Sequence, residues 1–405
     1  MVRKGNLKIA MVTPAYVPAF AFGGPVIQLR RIVRALYKKG YDITVYTTNA
    51  TSPTSFASLQ TQEYIDDILV KRFPVLFRVA GYWFSPSMFK TLLEDDFDVI
   101  HTNCARSFQS DLASLVSRIR RIPLIIQSRG SIGSYRAKGA VSVGVGYLYS
   151  IHNPILKFSL KQAEKVIALT HSEALEYRVM GVENNKIEVV PNGIDLSDFN
   201  CLPRSGRFRE KYSISADTRI ILFLGRINRI KGIDVLIEAF SFLNKELDKM
   251  KLVIVGPKNG YSEFCEELVS RSGITEDILF TGPLYAEDKL EAYVDSDIFV
   301  LPSLYEAFPN VILEAFACSK PVVASDVESI SDIIMNKQTG LLFKRGNSRE
   351  LAEKILYLLK NPEEGRKMGH MAHELVEEKF STDKVICSLE ALYKKSKRKP
   401  NLVCV

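Results

Sequence analysis

The chain has 405 residues, of which 46% are hydrophobic and 25% are charged. These fractions are typical of globular proteins and exclude a disordered or low-complexity chain, and at roughly 100–200 residues per domain the length predicts two or three domains. The net charge of +8 lies in residues 1–200, which hold 24 basic and 16 acidic residues, whereas residues 201–405 are balanced. This asymmetry indicates an anionic partner, such as membrane phosphate or nucleic acid, or else ordinary solvated surface charge.

The first residues begin basic and turn apolar, like a signal peptide, but Pro14 and Pro18 interrupt the apolar part. We therefore interpret residues 7–13 as a buried strand. No run of about 20 apolar residues is present, which argues against a transmembrane helix. The six cysteines form no CxxC pair and have no histidine cluster beside them, so we expect reduced thiols. The expected location is cytoplasmic, with peripheral contact at the inner face of the membrane.

Short apolar runs alternate with amphipathic stretches along the first half of the chain. The runs that predict strands are residues 7–13, 41–48, 98–103, 123–128, 165–170 and 186–191. Residues 24–40 have apolar side chains near helical spacing and end at Gly40. Continuously apolar strands separated by helices predict a parallel sheet that is covered on both faces.

The stretch "PNGIDLSDFN" at 191–200 is a turn signal, after which the alternation restarts. The predicted strands are 219–225, 251–256, 277–282, 297–303 and 321–325, the predicted helices are 232–248, 261–272, 286–294 and 310–318, and residues 348–396 read as mostly helical. The predicted fold class is therefore α/β, with two tandem Rossmann-like doubly wound domains. We expect a first domain at 1–200, a second domain at 201–380, and a helix with a basic tail at 381–405 that crosses back to the first domain.

The loop "GRINRIKG" at 225–232 follows a predicted strand directly and opens a helix. Gly225 permits a tight turn, and Arg226 and Lys231 bring two cations to the start of that helix. A helix N-terminus with two cations is suited to a diphosphate. The alternative is that both cations simply face water.

The stretch "SLYEAFPNVILEAF" places Glu306 and Glu314 eight positions apart among apolar residues. Glu306 follows a predicted strand, and Glu314 falls within the helix that Pro309 is expected to open. Carboxylates accept hydrogen bonds from vicinal hydroxyls, so the two could hold the two sugars of a nucleotide sugar. The alternative is that Glu306 caps the helix and Glu314 is exposed.

Together with the early "GGP" at 23–25 and "VVPNGID" at 189–195, these segments resemble glycosyltransferase family 4, the group 1 transferases. This resemblance spans about residues 7 to 380. It implies the two-domain GT-B architecture, with an acceptor-side domain at 1–200, a nucleotide-sugar-binding domain at 201–380 and a cleft between them. It also implies retaining transfer of a sugar from a nucleotide sugar, and no metal. The Glu-x7-Glu pattern of the family falls on Glu306 and Glu314.

The resemblance also implies a role for each matching residue. Arg226 and Lys231 would neutralise the leaving diphosphate, and Glu314 would bind the ribose. Glu306, with the backbone around Phe308, Asn310 and Val311, would hold the donor sugar, and the Gly23–Gly24 pair would contact the donor phosphate from the first domain. The expected partners are a UDP- or GDP-sugar and a glycan or lipid-linked acceptor, with no specific nucleic acid.

Two features bear on that resemblance. Asp295 and Asp297 form a DxD sequence, but they precede a predicted strand at its amino end, so we interpret them as structural. In "QSRGSIG", Arg129 stands where family members often have a histidine. Arginine cannot serve as a base near neutral pH, but it could bind a phosphate or orient the donor sugar. Arg129 is therefore a candidate catalytic residue. His101 also matches a family position at a strand end, and we interpret it as a structural histidine.

The residues that would bind the acceptor are harder to identify from the sequence. Residues 70–90 and 134–158 mix aromatic and basic side chains, as at a membrane interface or equally in a core with its rim. Two other function classes stay open. One is a sugar-nucleotide epimerase or phosphorylase of the same architecture. The other is a basic module that binds membrane or RNA.

Overall fold

The computed structural model describes residues 7–52, 55–79, 82–130, 143–258 and 260–396, with only the backbone described at 143–151. The chain divides into two compact units, one formed by Met1–Gly193 with Thr382–Val405 and the other by Ile194–Ser381. The division therefore falls inside the "PNGID" stretch, a few residues before the expected boundary at 200.

The first unit contains an eight-stranded sheet in the order β10-β9-β8-β7-β1-β2-β4-β3, and β5 and β6 form a separate hairpin. The strands are β1 (Lys8–Val12), β2 (Asp42–Thr48), β3 (Gln62–Ile65), β4 (Ile68–Phe73), β5 (Phe77–Val79), β6 (Tyr82–Phe84), β7 (Val99–Asn103), β8 (Leu124–Gln127), β9 (Lys165–Ala168) and β10 (Ile187–Val189). All pairings in the large sheet are parallel except that of β3 with β4. The sheet reverses its order beside β1, where ligands bind in doubly wound folds.

Five helices connect these strands: α1 (Gly24–Lys38), α2 (Ser87–Glu94), α3 (Phe108–Arg120), α4 (Val143–Gln162) and α5 (His171–Val179). Alternate residues of β1 supply two cores, because Ile9 and Met11 face one side of the sheet and Ala10 and Val12 the other. Helix α1 packs on the first side. Helices α2 to α5 cover the second.

The segment from 62 to 84 differs from the simple alternation that the sequence predicts. It contributes β3 and β4 to the sheet edge and then the β5–β6 hairpin, none of which the apolar pattern indicated. Trp83 is 6% exposed and belongs to the core around α1. The membrane-interface interpretation of this segment is therefore wrong for Trp83, although Phe77 is exposed.

The second unit contains a six-stranded parallel sheet in the order β13-β12-β11-β14-β15-β16. Its strands are β11 (Arg219–Leu224), β12 (Met250–Val255), β13 (Ile278–Gly282), β14 (Ile298–Leu301), β15 (Val322–Asp326) and β16 (Leu341–Lys344), and its helices are α6 (Arg207–Lys211), α7 (Ile233–Leu243), α8 (Gly260–Ser272), α9 (Ala286–Asp295), α10 (Asn310–Ala317), α11 (Glu328–Ser331), α12 (Ser348–Lys360) and α13 (Pro362–Leu375). The order reverses between β11 and β14. The predicted fold class, two Rossmann-like α/β domains, is confirmed.

The last helix, α14 (Thr382–Lys395), packs in the first unit. Its buried residues Val385, Ile386, Leu389, Leu392 and Tyr393 join the same core as α1. Lys39 Nζ lies 2.6 Å from a carboxylate oxygen of Glu390, and Tyr41 donates a hydrogen bond of 3.2 Å to the same carboxylate. The first unit is thus built from both ends of the chain.

We expect Leu389→Ala to reduce the free energy of unfolding of the first unit by about 3 kcal/mol, because it leaves a cavity beside α1. Trp83 is the single tryptophan and lies in the same core, so its fluorescence during urea unfolding reports this unit. The exposed neighbour Ser388 provides a control, and Ser388→Ala should change stability by less than about 0.5 kcal/mol. Equal unfolding midpoints for the two variants would contradict a stabilising role for α14.

Candidate functional site

The loop after β11 turns sharply at both ends. The Gly225 N–H donates to the carbonyl of Val255, and Asn228 Oδ1 accepts from the Lys231 N–H at 3.2 Å, which caps a short turn at 229–231. Gly232 has a φ of +63°, and a Cβ there would lie 2.2 Å from the carbonyl oxygen of Pro302. Only glycine fits this position, because both the backbone angle and the space exclude a side chain. The loops after β11 and β14 are therefore in direct contact.

This contact brings a predicted cation and a predicted carboxylate together. Lys231 Nζ lies 2.5 Å from Glu306 Oε1, and the Ser303 hydroxyl donates to the same oxygen at 2.7 Å. The Leu304 N–H donates to the carbonyl of Ile230 at 2.7 Å, so backbone also joins the two loops. The Glu306 side chain is 8% exposed and that of Lys231 is 18% exposed. The pair is thus largely removed from water at the carboxyl edge of the sheet.

Arg226 precedes this pair in the loop and is exposed. The next residue, Ile227, is 1% exposed and anchors the backbone. Within the described parts of the chain, the Arg226 guanidinium has neither a hydrogen bond nor an ion pair. Its positive charge is therefore available to an anion that reaches this edge.

Helix α10 begins beside the same loops. Pro309 occupies its N-cap position rather than its first turn, and the first turn contains no acidic residue. Asn310 and Val311 open the helix, while Phe308 is buried and its ring centroid lies 6.3 Å from that of Phe380. The first N–H groups of a helix have no intrahelical acceptor and carry partial positive charge, which favours an anion.

Glu314 lies in the second turn of α10 and is 8% exposed. Lys289 Nζ of α9 lies 2.7 Å from its Oε1, and the Tyr293 hydroxyl donates to its Oε2 at 3.1 Å. Burial and the adjacent Glu314 charge raise the pKa of Tyr293 well above its usual value, so its hydroxyl remains a donor. The sequence reasoning missed Lys289 and Tyr293, although their spacing of four residues on a predicted helix places both on one face.

The Gly23–Gly24 pair opens α1 in the first unit. Gly23 has a φ of +72°, and a Cβ there would meet no atom within 4 Å. Glycine is required here by the backbone angle and not by crowding. The helix start has no side-chain cap and no acidic residue in its first turn. The N–H groups of Gly23 and Val26 donate to the carbonyls of Phe20 and Gly23, and Pro25 has no N–H, so the Gly24 N–H is the candidate donor to an anion at this helix start.

Arg129 follows β8 with a left-handed φ of +50°. Its Nε donates to Asn103 Oδ1 at 2.9 Å and its Nη1 to Asn192 Oδ1 at 3.1 Å. Among the described residues, its buried Nη2 and the buried Nδ2 of Asn103 have no hydrogen-bond partner. Burial lowers the pKa of Arg129 to about 10, so the side chain stays charged at neutral pH. Two buried donors thus lack an acceptor at one edge of the sheet.

The backbone around Arg129 is held by a buried carboxylate. Glu173 of α5 accepts hydrogen bonds from the N–H of Gly130 at 3.1 Å, from the N–H of Leu169 at 2.6 Å and from the Ser128 hydroxyl. Burial raises the pKa of Glu173. Through Gly130 and Ser128, Glu173 fixes the left-handed turn that directs Arg129 towards Asn103.

His101 lies on β7 and is fully buried. A hydrogen bond of 2.7 Å joins its Nδ1 to the Tyr393 hydroxyl of α14. Burial, together with the positive charge of Arg129, lowers the pKa of His101 to about 3. The ring is therefore neutral at physiological pH, which fits a structural residue that secures α14 to the sheet.

Asp295 and Asp297 lie at the opposite, amino edge of the second sheet. Asp295 accepts from the N–H groups of Gly206 and Arg209 at 2.6 and 3.1 Å, so it anchors the start of α6. Asp297 accepts from Arg219 at 2.9 Å and from the Ile220 N–H at 2.8 Å. Both carboxylates serve local structure.

The site residues thus form two groups. Arg226, Lys231, Glu306 and the start of α10 meet at the carboxyl edge of the second sheet, with Glu314 one turn further on. Gly23, Gly24 and Arg129 follow strands β1 and β8 at the carboxyl edge of the first sheet. Each group brings cations and helix N-termini to the edge where doubly wound folds bind ligands.

We expect Lys231→Met to destabilise the second unit by about 2 kcal/mol, because Glu306 is left buried without its cation. Adding Glu306→Gln to this variant should restore part of the lost stability. Hydrogen exchange of the β11 and β14 peptides reports unfolding of this unit. Lys258→Met is the matched control: it removes an ion pair with Glu266 whose side chains are 58% and 43% exposed. If Lys231→Met lost as little stability as Lys258→Met, the Lys231–Glu306 pair would not be buried as described.

Two family models match most of the chain. The model described as Glycosyltransferase Family 4 matches residues 22–198, and the model described as Glycosyl transferases group 1 matches residues 205–375. Among curated proteins, an uncharacterized glycosyltransferase of Methanocaldococcus jannaschii is 27% identical over 96% of this chain and 98% of its own length. N-acetyl-alpha-D-glucosaminyl L-malate synthase of Bacillus anthracis is 30% identical, over 60% of this chain and 62% of the relative.

Solved structures agree in fold. Sucrose-phosphate synthase of Thermosynechococcus elongatus superposes with a TM-score of 0.76 at 21% identity, covering 96% of this chain and 99% of that chain. HepE of Anabaena, solved in complex with UDP-glucose, superposes with a TM-score of 0.75 at 18% identity over 96% and 100% of the two chains. The two family models match consecutive parts of the chain, and each lies largely on one of the two Rossmann-like units. The chain therefore belongs to the group 1, family 4 glycosyltransferases.

Proposed function

We propose that the protein is a retaining, metal-independent glycosyltransferase that moves a sugar from a UDP- or GDP-sugar to a glycan or lipid-linked acceptor. The observation that carries this proposal is the Lys231–Glu306 pair, held 2.5 Å apart at the carboxyl edge of the second sheet. A nucleotide sugar joins an anionic diphosphate to a neutral, hydroxyl-rich ring through one bond. A cation beside a carboxylate matches that junction, since the cation suits the diphosphate and the carboxylate accepts from sugar hydroxyls.

The cations then act on the step in which charge separates. As the bond between the sugar C1 and the diphosphate oxygen breaks, its electron pair stays on the diphosphate and positive charge grows on the ring. Arg226, Lys231 and the N–H groups at the start of α10 stabilise the departing anion. The acceptor oxygen bonds to C1 from the same face, and its proton passes to a diphosphate oxygen. Configuration is retained, and no covalent nucleophile of the protein is needed.

Glu314 is proposed to bind the ribose of the donor. Its carboxylate is held by Lys289 and Tyr293, and each carboxylate oxygen can accept a further hydrogen bond. The two partners fix the orientation of the carboxylate before a ligand arrives, which lowers the entropic cost of binding. In the first unit, the open start of α1 at Gly23 and Gly24 is proposed to contact a donor phosphate.

Arg129 is proposed to donate to an oxygen of the donor rather than to accept a proton. Its pKa of about 10 excludes a role as a base at neutral pH. Among the described residues, its Nη2 and the Nδ2 of Asn103 are buried donors without a hydrogen-bond partner, and each could donate to an anionic or hydroxyl oxygen. Arginine at this position thus supports binding and orientation in place of the histidine that family members often have.

Metal independence is proposed because fixed cations take the place of a divalent ion. Arg226 and Lys231 together carry two positive charges, and the start of α10 beside them adds partial positive charge. A diphosphate that meets these groups is neutralised without Mg²⁺. Within the described residues, no group of three or more His, Cys, Asp or Glu side chains is arranged to hold a metal ion.

The acceptor and the setting are proposed from the relatives. One of them, from Staphylococcus aureus, is named a capsular polysaccharide biosynthesis glycosyltransferase and is 28% identical over 61% of this chain. We accordingly propose cell-surface polysaccharide or glycolipid synthesis, with the enzyme peripheral on the inner face of the membrane. No helix among the described residues is long and apolar enough to cross a bilayer.

A donor panel tests this function. The purified protein is incubated with UDP- and GDP-sugars and released nucleoside diphosphate is measured, with and without EDTA. We expect release from at least one donor at the same rate in EDTA, and NMR of the glycosylated product should show the anomeric configuration of the donor. Loss of activity in EDTA would contradict metal independence, and an inverted product would contradict retention.

Arg226→Ala is expected to lower kcat by about 10²–10³, because it removes a cation from the departing diphosphate. Arg226→Lys should recover part of the loss, since lysine keeps the charge without the planar fork. Arg229→Ala removes another exposed cation of the same loop and serves as the control, with kcat within about threefold of the unmodified enzyme. Comparable losses from the two alanine variants would mean that general loop charge, and not Arg226 itself, supports the reaction.

A further inference from the structure

Helices α3, α4 and α5 form a continuous layer over one face of the first sheet, and their outer surface is unusually apolar. The exposed apolar side chains of this layer, hereafter the apolar face, are Leu115 (47% exposed), Ile119 (56%), Ile155 (50%), Phe158 (53%), Leu175 (55%) and Val179 (87%). The opposite sides of the same helices already fill the core with residues such as Val116, Leu156 and Tyr177. The apolar face is therefore not needed to build the fold.

Contacts between the helices make the face continuous. The Arg118 guanidinium of α3 lies 5.5 Å from the ring centroid of Phe158 on α4. Lys186, directly before β10, donates to the carbonyl of Lys161 at the end of α4 at 2.7 Å. A Cβ at Gly181, just after α5, would lie 2.8 Å from Lys161 Cε. The outer surface of α3 therefore adjoins that of α4 at Phe158, and the segment after α5 adjoins the end of α4.

The charges around this face are mostly positive. The exposed basic residues are Arg118, Arg121, Lys157, Lys161 and Arg178. Asp111 is the only acidic residue in the sequences of α3 and α4, and it is bonded to His152 Nε2 at 2.8 Å and to the Tyr82 hydroxyl. In α5, Glu176 is partly exposed, and the exposed acids Glu164 and Glu183 follow the ends of α4 and α5, so the exposed basic residues still outnumber the acidic ones. Long basic side chains can extend past apolar neighbours to reach anionic groups.

We propose that the apolar face docks on the surface of a bilayer that contains anionic phospholipids. Exposed Leu, Ile, Val and Phe side chains can enter the headgroup boundary while the surrounding Lys and Arg side chains meet lipid phosphates. The phosphates of a nucleic acid would pair with the Lys and Arg side chains, but a nucleic acid would leave the apolar side chains in water. This inference rests on the proposed function, because a lipid-linked acceptor requires the enzyme at a membrane.

The position of the face on the helices is compatible with catalysis. Ser107 caps α3 directly after β7, and Thr170 caps α5 directly after β9, so these helices begin at the carboxyl edge of the sheet. Five of the six apolar residues lie in the second halves of their helices, towards the opposite edge, and Leu175 is the central residue of α5. Docking through them leaves the carboxyl edge, with Asn103 and Arg129, uncovered.

Vesicle sedimentation tests the proposal with the full-length protein. Vesicles of phosphatidylcholine alone are compared with vesicles of equal parts phosphatidylcholine and phosphatidylglycerol. We expect binding to the anionic vesicles that weakens as salt is raised. Ile119→Glu and Phe158→Glu should each weaken binding at least about tenfold, because each places a carboxylate where an apolar group meets anionic lipid.

Tyr64→Glu is the matched control, because Tyr64 is 74% exposed on the edge strand β3 and the substitution changes charge equally. It should bind vesicles as the unmodified protein does. Lys157→Glu with Lys161→Glu provides a second test that alters only exposed charges and should also weaken binding. Unchanged thermal unfolding verifies that each variant is folded.

Three outcomes would overturn the proposal: no binding of the unmodified protein to anionic vesicles, full binding by the variants of the apolar face, or an equal loss in Tyr64→Glu. A dimer that Phe158→Glu converts to a monomer would assign the face to a second copy of the chain instead. Release of nucleoside diphosphate without lipid should be unchanged in these variants. Failure of docking is thus distinguishable from failure of the proposed function, in which no donor would be consumed even though the protein binds vesicles.

Discussion

The close approach of Gly232 to Pro302 is the constraint on which the second unit's site depends. Because no side chain fits between them, the loop after β11 rests directly against the loop after β14. The contact aligns Lys231 with Glu306 and lets Leu304 bond to Ile230 across the loops. The sheet order places β11 and β14 side by side at the point of reversal. A steric condition at one glycine therefore brings together residues that lie 75 positions apart in the chain.

The candidate cation of the first unit, Arg129, is buried beside neutral side chains, whereas Lys231 of the second unit forms an ion pair. Among the described residues, Arg129 has two asparagine oxygens and no carboxylate as its direct partners. Burial, with the charge of Arg129 as a second cause, lowers the pKa of His101 to about 3. His101 therefore stays neutral at physiological pH, while Arg129, with a pKa of about 10, keeps its proton. The candidate sites of the two units therefore differ in their electrostatics: the second unit pairs Lys231 with a carboxylate, and the first buries Arg129 beside neutral amides.

The sequence allowed much of the fold and part of the candidate site to be predicted. Buried parallel strands such as β1, β8 and β14 are continuously apolar, so their positions were found within a few residues. The β5–β6 hairpin and the short strand β16 were missed, since neither has a distinct period and the aromatic residues near Trp83 resemble a surface as much as a core. Lys289 was missed because its contact with Glu314 joins two helices and depends on how they pack. The left-handed turn at Arg129 was missed because non-glycine residues rarely adopt it.

The return of α14 to the first unit has a consequence for synthesis on the ribosome. Translation completes β1 to β10 long before it reaches residues 382–395, and the whole second unit is made in between. Until then, the side of the early sheet that carries α1 lacks Leu389, Leu392 and Tyr393, and its apolar surface stays open to water. During synthesis the second unit therefore has all its residues before the first unit receives its last helix.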